Sequence, residues 1–258
     1  MLKLKHAFQQ GQTLVGTWLN APSPAQAETI GYAGFDFVIL DTEHSSYDIP
    51  DCENLVRAAD AAGLPSLIRV PENRGTPVGK ALEYGAQGIV VPHVSTKAEA
   101  EAAVNHAHYP PKGVRGAAPT VRGAHYGQTP WPDYLAQARA ETLVVLQIEG
   151  KEGIENLDAI MGVAGVDVLF IGPFDLSGAL GISGQLDHPL LLDTAGDIVR
   201  RARSRHMAVG IWMPTPEQVG PWIARGVQMI TVASNDMIFM QACRTVAGKV
   251  KAQIPGRA

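Results

Sequence analysis

Short apolar segments rich in β-branched residues recur along the whole chain, and a segment of helical composition follows each of them. Near-continuous apolar runs of this kind are typical of strands buried on both faces, as in a parallel sheet. Eight such strands are predicted: Leu14–Leu19, Phe35–Leu40, Ser66–Val70, Gly88–Val91, Leu143–Ile148, Val166–Ile171, Ala208–Trp212 and Met229–Val232. This alternation predicts the α/β class and a single TIM (β/α)8 barrel, with a doubly wound open sheet as the second candidate architecture.

The predicted helices lie between these strands and after the last of them. Those between strands are Ala25–Ala33, Cys52–Ala62, Thr76–Tyr84, Lys97–Ala107, Tyr134–Glu141, Ile154–Met161, Leu190–His206 and Pro216–Arg225. A further helix, Asn235–Ala252, is predicted as an extra C-terminal helix and is expected to pack against a partner subunit. The 258 residues match the usual length of one barrel, so a single domain spanning 1–258 is predicted. Left-handed helix stops are expected at Gly34, Gly63, Gly85 and Gly226.

Composition excludes several classes of function. The net charge of -4 comes without a basic stretch, so no nucleic-acid partner is expected. The chain starts without an apolar stretch long enough for a signal peptide or a membrane span, so a cytoplasmic protein is expected. Cys52 and Cys243 have neither zinc-site nor disulfide-framework spacing, and both are expected to be buried thiols. No Gly-x-Gly-x-x-Gly motif opens a helix, which disfavours dinucleotide binding.

Two of the apolar strands lead into carboxylates, Glu149 and Asp175. In a TIM barrel the chemistry lies at the carboxyl ends of the strands, where both acids are expected. Neither run contains a Lys or Arg to neutralise these acids, and a buried carboxylate is costly without a positive partner. A divalent metal is therefore predicted, Mg²⁺ or Mn²⁺ on the chemistry of oxygen ligands, with Co²⁺ as a further candidate.

Other polar residues at predicted strand ends complete a candidate active site. Arg69 is expected to hold a substrate oxygen and to stabilise developing negative charge. His44 is expected to exchange protons near neutral pH, with Asp41 orienting it, although a helix-capping histidine is the competing interpretation. Gln147 is expected on the same face of its strand as Glu149.

Two parts of the chain are left with open roles. His93 is expected to be either a wall of the pocket or a hydrogen-bonded histidine at the barrel rim. The Pro- and Gly-rich segment Tyr109–Pro132 is expected to be a lid or an interface, because long loops in compact domains are usually functional.

The lysines argue against an imine mechanism. A Schiff-base aldolase needs a desolvated lysine inside the barrel. None of the lysines considered falls within a predicted strand: Lys80, Lys97, Lys112, Lys151 and Lys249. Their positions favour metal chemistry over an imine.

Several segments resemble one known family in both sequence and order. They are Phe35–His44, Ile68–Val70, Val91-Pro92, Tyr109–Gly116, Gln147–Glu149 and Phe170–Ser177. The chain resembles the HpcH/HpaI aldolases, which are class II, metal-dependent pyruvate aldolases related to 4-hydroxy-2-oxoheptanedioate aldolase and 2-dehydro-3-deoxyglucarate aldolase. The resemblance extends from about residue 14 to about residue 235 and implies a (β/α)8 barrel.

The resemblance also implies roles for individual residues. It implies that Glu149 and Asp175 bind the metal, and that Arg69 contacts a pyruvate enolate. It implies that His44, supported by Asp41, takes part in proton transfer. The residues implied in substrate binding are Arg69, Gln147, Gly172, Pro173, Phe174 and Asp175.

A homohexamer, a trimer of dimers that exchange C-terminal helices, is a further implication of the resemblance. Family members often place an Asp from a neighbouring subunit near the catalytic histidine, and Glu83 stands at that position here. Phe174 and His93 also depart from the residues common in the family. These departures concern the choice of acceptor more than the pyruvate chemistry.

The predicted function is carbon–carbon lyase activity on small molecules. The enzyme is expected to cleave a 4-hydroxy-2-oxo acid to pyruvate and an aldehyde, and to catalyse the reverse aldol addition through a metal-bound pyruvate enolate. The alternative is a citrate-lyase-β-like lyase that acts on an acyl-CoA thioester and binds the CoA phosphates through Lys112, Arg115 and Arg122. A non-catalytic, metal-dependent binder of keto acids is the third possibility.

Overall fold

The computed structural model of the protein describes residues 1–254 and contains a closed barrel of eight parallel strands. Each strand pairs with the next along the chain, and the last pairs with the first. The strands are β1 (Leu14–Leu19), β2 (Phe37–Asp41), β3 (Ser66–Arg69), β4 (Gly88–Val91), β5 (Leu143–Ile148), β6 (Val168–Ile171), β7 (Ala208–Met213) and β8 (Met229–Ser234). The predicted TIM barrel is confirmed, and the open sheet is excluded by the β1–β8 pairing.

Helices surround the barrel and follow the predicted order. They are α1 (Leu4–Gln9), α2 (Pro24–Tyr32), α3 (Cys52–Ala61), α4 (Gly75–Glu83), α5 (Lys97–Ala107), α6 (Trp131–Glu141), α7 (Lys151–Glu155), α8 (Leu157–Met161), α9 (Pro173–Ala179), α10 (Pro189–Ser204), α11 (Gly220–Ala224) and α12 (Asn235–Lys251). Short 3₁₀ segments span Ile49–Asp51, Arg122–Gly127 and Pro216–Gln218. Helices α1 and α9 were not predicted, and the predicted helix Ile154–Met161 is divided into α7 and α8.

The amino-terminal end of the barrel is closed by helix α1. Leu4 and Phe8 are buried in the cluster of side chains that fills the barrel interior. The N–H of Leu4 donates to Gln87 Oε1 at 3.0 Å, and Lys5 Nζ lies 3.0 Å from the Asp167 carboxylate. These contacts hold the helix across the barrel floor, so the strand carboxyl ends face the opposite opening.

Glycines fix the space inside the barrel and the ends of several helices. A Cβ at Gly16 would overlap the Phe37 ring, and a Cβ at Gly210 would overlap the Phe170 ring, so both glycines admit a large aromatic ring to the interior. The four predicted helix stops all have positive φ, between 71° and 94°, which confirms that prediction; they are Gly34, Gly63, Gly85 and Gly226.

Helix α12 lies outside the barrel and exposes many apolar side chains. Only Asn235, its first residue, is buried. Its exposed apolar residues include Met237, Ile238, Phe239, Met240, Val246 and Val250. Cys52 is buried as predicted, whereas Cys243 on α12 is exposed, so the prediction for Cys243 was wrong. Within residues 1–254, no helix combines the length and the apolar character needed to cross a bilayer.

The predicted loop Tyr109–Pro132 packs against the outside of the barrel. The rings of Tyr109, Trp131 and Tyr134 contact one another edge-on or tilted, with centroids 5.4 to 6.0 Å apart. Trp131 and Pro132 already belong to α6, and Arg122–Gly127 forms a 3₁₀ segment. Within the described chain, the segment does not line the cavity at the carboxyl ends of the strands, so it is not a lid over its own site.

Candidate active site

A cavity of about 470 Å³ opens at the carboxyl ends of the strands. The structure brings most of the predicted site residues together around it: Asp41, His44, Arg69, Gln147, Gly172, Pro173, Phe174 and Asp175. Glu149 lies directly beside this cavity, against Gly172 and Gln147. Glu83 is on the outer helix α4, where its carboxylate pairs with Lys80 Nζ at 3.2 Å, and it does not line the cavity of its own chain.

Arg69 is held rigidly at the end of β3 by its neighbour in the sheet. Asp41 is its register partner on β2, and its carboxylate accepts Arg69 Nε at 2.8 Å and an Arg69 terminal nitrogen at 2.6 Å. The guanidinium also lies 4.4 Å from the centroid of the Trp18 ring. A two-pronged, charge-assisted pair of this kind fixes direction as well as charge. Arg69 therefore presents a fixed positive charge to the cavity.

The turn after β2 is anchored by Asp41 and Tyr47. Asp41 Oδ1 accepts the backbone N–H groups of Glu43 at 3.0 Å and His44 at 3.3 Å. The Tyr47 hydroxyl accepts the N–H of Asp41 and donates to the carbonyl of Leu19, and burial raises the pKa of this hydroxyl. Asp41 thus orients His44 through the backbone.

The His44 ring itself is open to the cavity and to solvent. Its side chain is 59% exposed, and Nε2 lies 3.9 Å from Glu43 Oε2. The next helical turn is capped by Asp48, so the helix-capping interpretation of His44 does not hold. A histidine that is fixed at its backbone and exposed at its ring is suited to exchange protons with a ligand.

Glu149 is a buried carboxylate surrounded by donors that carry no permanent charge. It is 3% exposed. Oε1 accepts the backbone N–H of His93 at 2.9 Å, and Oε2 accepts the Gln147 amide. A Cβ at Gly172 would overlap Glu149 Oε2, so the glycine before Pro173 is required by the close approach of this carboxylate.

Burial raises the pKa of the Glu149 carboxyl above its ordinary value. His93 and Gln147 oppose this shift, and the negative charge of Asp175 adds to it. Asp175 lies in the first turn of α9 and lines the cavity. Two neighbouring acids that have no lysine or arginine partner in the described part of the chain make a site where an added cation is electrostatically favourable.

The oxygen atoms around the cavity fit a hard divalent cation. Gln147 Oε1 and Asn20 Oδ1 are buried and have no hydrogen-bond partner within residues 1–254. In the same part of the chain, no three His, Cys, Asp or Glu side chains group into a metal cage. A site with two carboxylates and an unpaired amide oxygen suits Mg²⁺ or Mn²⁺, which take oxygen ligands and retain open positions for water or substrate.

Several residues that line the cavity were not among the predicted site residues: Trp18, Asn20, Phe170, Trp212, Ser234 and Met237. Four of them stand at predicted strand ends, so strand position was the signal that identified their neighbours. Met237 comes from α12, and nothing in the sequence directs it to this cavity.

Comparison with known proteins supports the same kind of function as the geometry of the site. The family described as HpcH/HpaI aldolase/citrate lyase matches residues 14–242. The chain belongs to this family. It is 37% identical to 2-dehydro-3,6-dideoxy-6-sulfogluconate aldolase of Pseudomonas putida over 226 residues, which cover 88% of each chain. It is 33% identical to 5-keto-4-deoxy-D-glucarate aldolase of Escherichia coli O157:H7 (strain EC4115 / EHEC) over 249 residues, or 96% of each chain.

A solved structure agrees over the full length. The crystal structure of an HpcH/HpaI aldolase from Desulfitobacterium hafniense DCB-2 matches with a TM-score of 0.93 at 29% identity and covers 100% of both chains. The aldolase relatives support carbon–carbon lyase activity, so the predictions of family and enzyme class are confirmed.

Proposed function

We propose that the protein is a divalent-metal-dependent aldolase that cleaves 4-hydroxy-2-oxo acids to pyruvate and an aldehyde. The observation that carries this proposal is that a negatively charged site and a positively charged side chain lie at the same cavity. Within residues 1–254 the neighbouring acids Glu149 and Asp175 have no lysine or arginine partner, whereas Arg69 is a fixed cation. A 2-oxo acid has adjacent ketone and carboxylate oxygens that such a site can bind.

Glu149 and Asp175 are the residues that would hold the ion. Bound there, the ion would supply Lewis acidity toward the oxygens of the 2-oxo acid. Both acids must be ionised to bind it, so the raised pKa of Glu149 means that metal and proton compete for this carboxylate.

Arg69 retains hydrogen-bond donors for the substrate. A guanidinium has five N–H groups. Asp41 accepts from Nε and from one terminal nitrogen, and Glu43 Oε2 lies 3.0 Å from the other. Each terminal nitrogen therefore keeps at least one N–H, which can hold a substrate oxygen as negative charge develops on it during bond cleavage.

His44 is the group placed to move the proton. In the cleavage direction, the C4 hydroxyl loses its proton and the C3–C4 bond breaks as the aldehyde carbonyl forms. The bonding electrons pass toward the C2 oxygen, and C3 then takes a proton to give pyruvate. His44 is exposed at the mouth and can accept and return a proton directly or through a water molecule.

The first turn of α9 is proposed to bind the pyruvate carboxylate. Gly172, Pro173 and Phe174 line the cavity, and the N-terminus of α9 has no side-chain cap. The free N–H groups of a first helical turn donate readily to an anion. Phe174 is 56% exposed at the rim, where it is placed to contact the aldehyde.

The acyl-CoA alternative is less favoured. The relatives described above are named as aldolases that act on sugar-acid derivatives. Of the three cations expected to bind CoA phosphates, Arg122 pairs with Asp60 at 2.5 Å and donates to the carbonyl of Tyr84. Arg115 is buried, with its guanidinium 4.4 Å from the centroid of the Tyr109 ring.

A homohexamer with exchanged C-terminal helices is also proposed. The apolar side chains that α12 exposes support it, because patches of this kind mark protein interfaces. The buried Arg115 supports it as well, since its Nε and one terminal nitrogen have no hydrogen-bond partner within residues 1–254. Light scattering after gel filtration should give six protomers; a monomer would contradict the proposal.

The decisive test is pyruvate release. Purified protein is incubated with a panel of 4-hydroxy-2-oxo acids and Mg²⁺ or Mn²⁺, and pyruvate is measured by coupled NADH oxidation. We expect turnover that EDTA abolishes and added Mn²⁺ restores. Malyl-CoA and citramalyl-CoA are assayed in parallel for free CoA. If every oxo acid fails to give EDTA-sensitive pyruvate, the proposed function is wrong.

A further inference from the structure

His93 adopts a backbone conformation that is unusual for a residue other than glycine. It directly follows β4 and Pro92, and its φ is 54°, in the left-handed region. A non-glycine residue in this region costs free energy, and such residues cluster at functional sites. Here the conformation aims the His93 N–H at Glu149 Oε1, at 2.9 Å. The strained turn after β4 thus provides a hydrogen bond to the Glu149 carboxylate, which follows β5.

The ring of His93 joins two carboxylates. Nδ1 lies 2.8 Å from Glu149 Oε1, and Nε2 lies 2.9 Å from Glu43 Oε1. The side chain is 62% exposed, so close packing does not fix the ring. The two carboxylates fix it instead, because each of them contacts a different ring nitrogen.

This bridge connects the two charge sites of the cavity. Glu43 also lies 3.0 Å from Arg69, and Arg69 is paired with Asp41. A continuous series of polar contacts therefore runs from Glu149 through His93 and Glu43 to Arg69. It ties the carboxylate beside β5 to the guanidinium on β3, although these groups come from distant parts of the chain.

We propose that His93 is a positioning residue that fixes the Glu149 carboxylate for the metal ion and holds it in register with Arg69. The inference rests on the proposed metal site. A carboxylate that is already oriented loses less rotational freedom when it binds an ion. Partners that orient metal ligands typically contribute 10- to 100-fold in affinity.

Two substitutions separate the ring from the backbone turn. His93→Asn keeps a residue type that tolerates the left-handed conformation but is too short to reach both carboxylates. The side chain in His93→Gln is longer, but its single amide group has one nitrogen and cannot replace both ring nitrogens of histidine. Both variants retain the N–H that donates to Glu149. The matched control is His206→Asn: His206 also has positive φ, 58°, and is exposed, and it precedes β7 at the other end of the barrel.

The experiment is calorimetric titration of Mn²⁺ into metal-stripped protein without substrate, together with thermal unfolding with and without Mn²⁺. We expect both His93 variants to bind Mn²⁺ roughly 10- to 100-fold more weakly than the wild type. The unfolding midpoint of the metal-free protein should stay the same, and the rise on adding Mn²⁺ should shrink. His206→Asn should match the wild type in all three measurements.

Three results would overturn the inference. If both variants bind Mn²⁺ within about twofold of the wild type while Glu149→Gln loses binding, the role of His93 is wrong and the proposed function stands. If weaker binding comes with a lower midpoint for the metal-free protein in both variants, the ring is a general stabiliser. If Glu149→Gln and Asp175→Asn bind Mn²⁺ normally, the metal site itself is wrong and the inference fails with it.

Discussion

Each end of the barrel holds a largely buried carboxylate, and the two ends differ in whether a cationic side chain neutralises it. On the floor, Asp167 lies 3.0 Å from Lys5 Nζ and accepts the backbone N–H of Val144. At the mouth, Glu149 lies beside Asp175 and has no lysine or arginine partner among the residues that the structure describes. Burial raises the pKa of both carboxyls. The floor supplies its own cation and serves stability, whereas the mouth leaves negative charge for a ligand to balance.

The largest difference between the ends should appear when a mouth carboxylate is neutralised. Glu149→Gln or Asp175→Asn should reduce metal-dependent pyruvate release to background, because each removes an anionic oxygen from the proposed ion site. The metal-free protein should be no less stable, since each substitution removes one of two neighbouring negative charges. Pyruvate assays and thermal unfolding without metal measure the two effects.

Surface acids provide matched controls for these two changes. Glu101 is an exposed residue of α5, and Asp193 is an exposed residue of α10. The variants Glu101→Gln and Asp193→Asn should therefore retain full activity. A mouth variant with full activity would mean that the unneutralised acids are not a metal site and that the contrast between the two ends has no catalytic meaning.

Substitution of Arg69, the fixed cation of the mouth, should have the next largest effect on activity. Arg69→Lys keeps the charge but removes the planar fork that Asp41 holds. Turnover should fall roughly 10²-fold, the loss typical of removing one donor to a developing oxyanion. The KM of the aldehyde should change little, because the group acts on the 2-oxo acid. Steady-state kinetics in the addition direction separate kcat from KM.

Arg200→Lys is the control for Arg69→Lys, since Arg200 is an exposed arginine on α10 that pairs with a nearby aspartate, Asp197. A change confined to the aldehyde KM in Arg69→Lys would contradict the assigned role. Arg69→Ala is a poorer test, because it would leave Asp41 and Glu43 without their cation and would destabilise the fold as well.

The contrast between the two ends also shows what the sequence can predict. Strands were predictable because each buried strand is a run of apolar, β-branched residues, and their carboxyl ends then pointed to Glu149, Asp175 and Arg69. Position along a strand is a local property, and in a parallel barrel it determines the end at which a side chain lies. The residues from separate strands could therefore be assigned to one site before any contact was known.

What the sequence could not predict depends on contacts between distant parts of the chain and on local backbone conformation. The bridge from His93 to Glu43 and Glu149 needs a left-handed backbone conformation at His93, and no sequence motif predicts that conformation. Helix α9 begins at a Gly-Pro pair, which also reads as a loop. The exposure of Cys243 follows from a helix whose apolar residues lack a cover within the described chain, and helical periodicity does not identify what covers such residues.

On the floor, breaking the Lys5–Asp167 pair should reduce stability and leave catalysis intact. Lys5→Met removes the cation from a carboxylate that is 15% exposed. We expect a loss of about 2 kcal/mol in the free energy of unfolding, less than the ~3–5 kcal/mol typical of fully buried pairs. The turnover number of the folded enzyme should be unchanged. Urea unfolding and the pyruvate assay measure the two quantities.

Lys97→Met is the matched control, because Lys97 makes an exposed i,i+4 pair with Glu101 that should contribute about 0.5 kcal/mol at most. If Lys5→Met lowers turnover as well as stability, the two ends of the barrel are not functionally separate.

A pH dependence of stability is expected from His108, close to the floor. Burial, followed by the positive charges of Lys5 and Lys112, lowers the pKa of this histidine from 6.5 to about 4. Between these values the unfolded chain binds a proton that the folded chain does not. The His108 contribution to stability is therefore fully present above pH 6.5 and is lost as the pH falls to about 4. His108→Gln should remove it.

The measurement compares urea unfolding of the wild type and His108→Gln at several pH values from 7.5 down to 4. Asp167 and Glu149 have raised pKa values, so their protonation favours the folded state as the pH falls, opposite in sign to His108. These contributions are common to both proteins and cancel in the difference between them. Wild-type stability should fall relative to the variant across this window, and a constant difference would show that folding does not lower the pKa of His108.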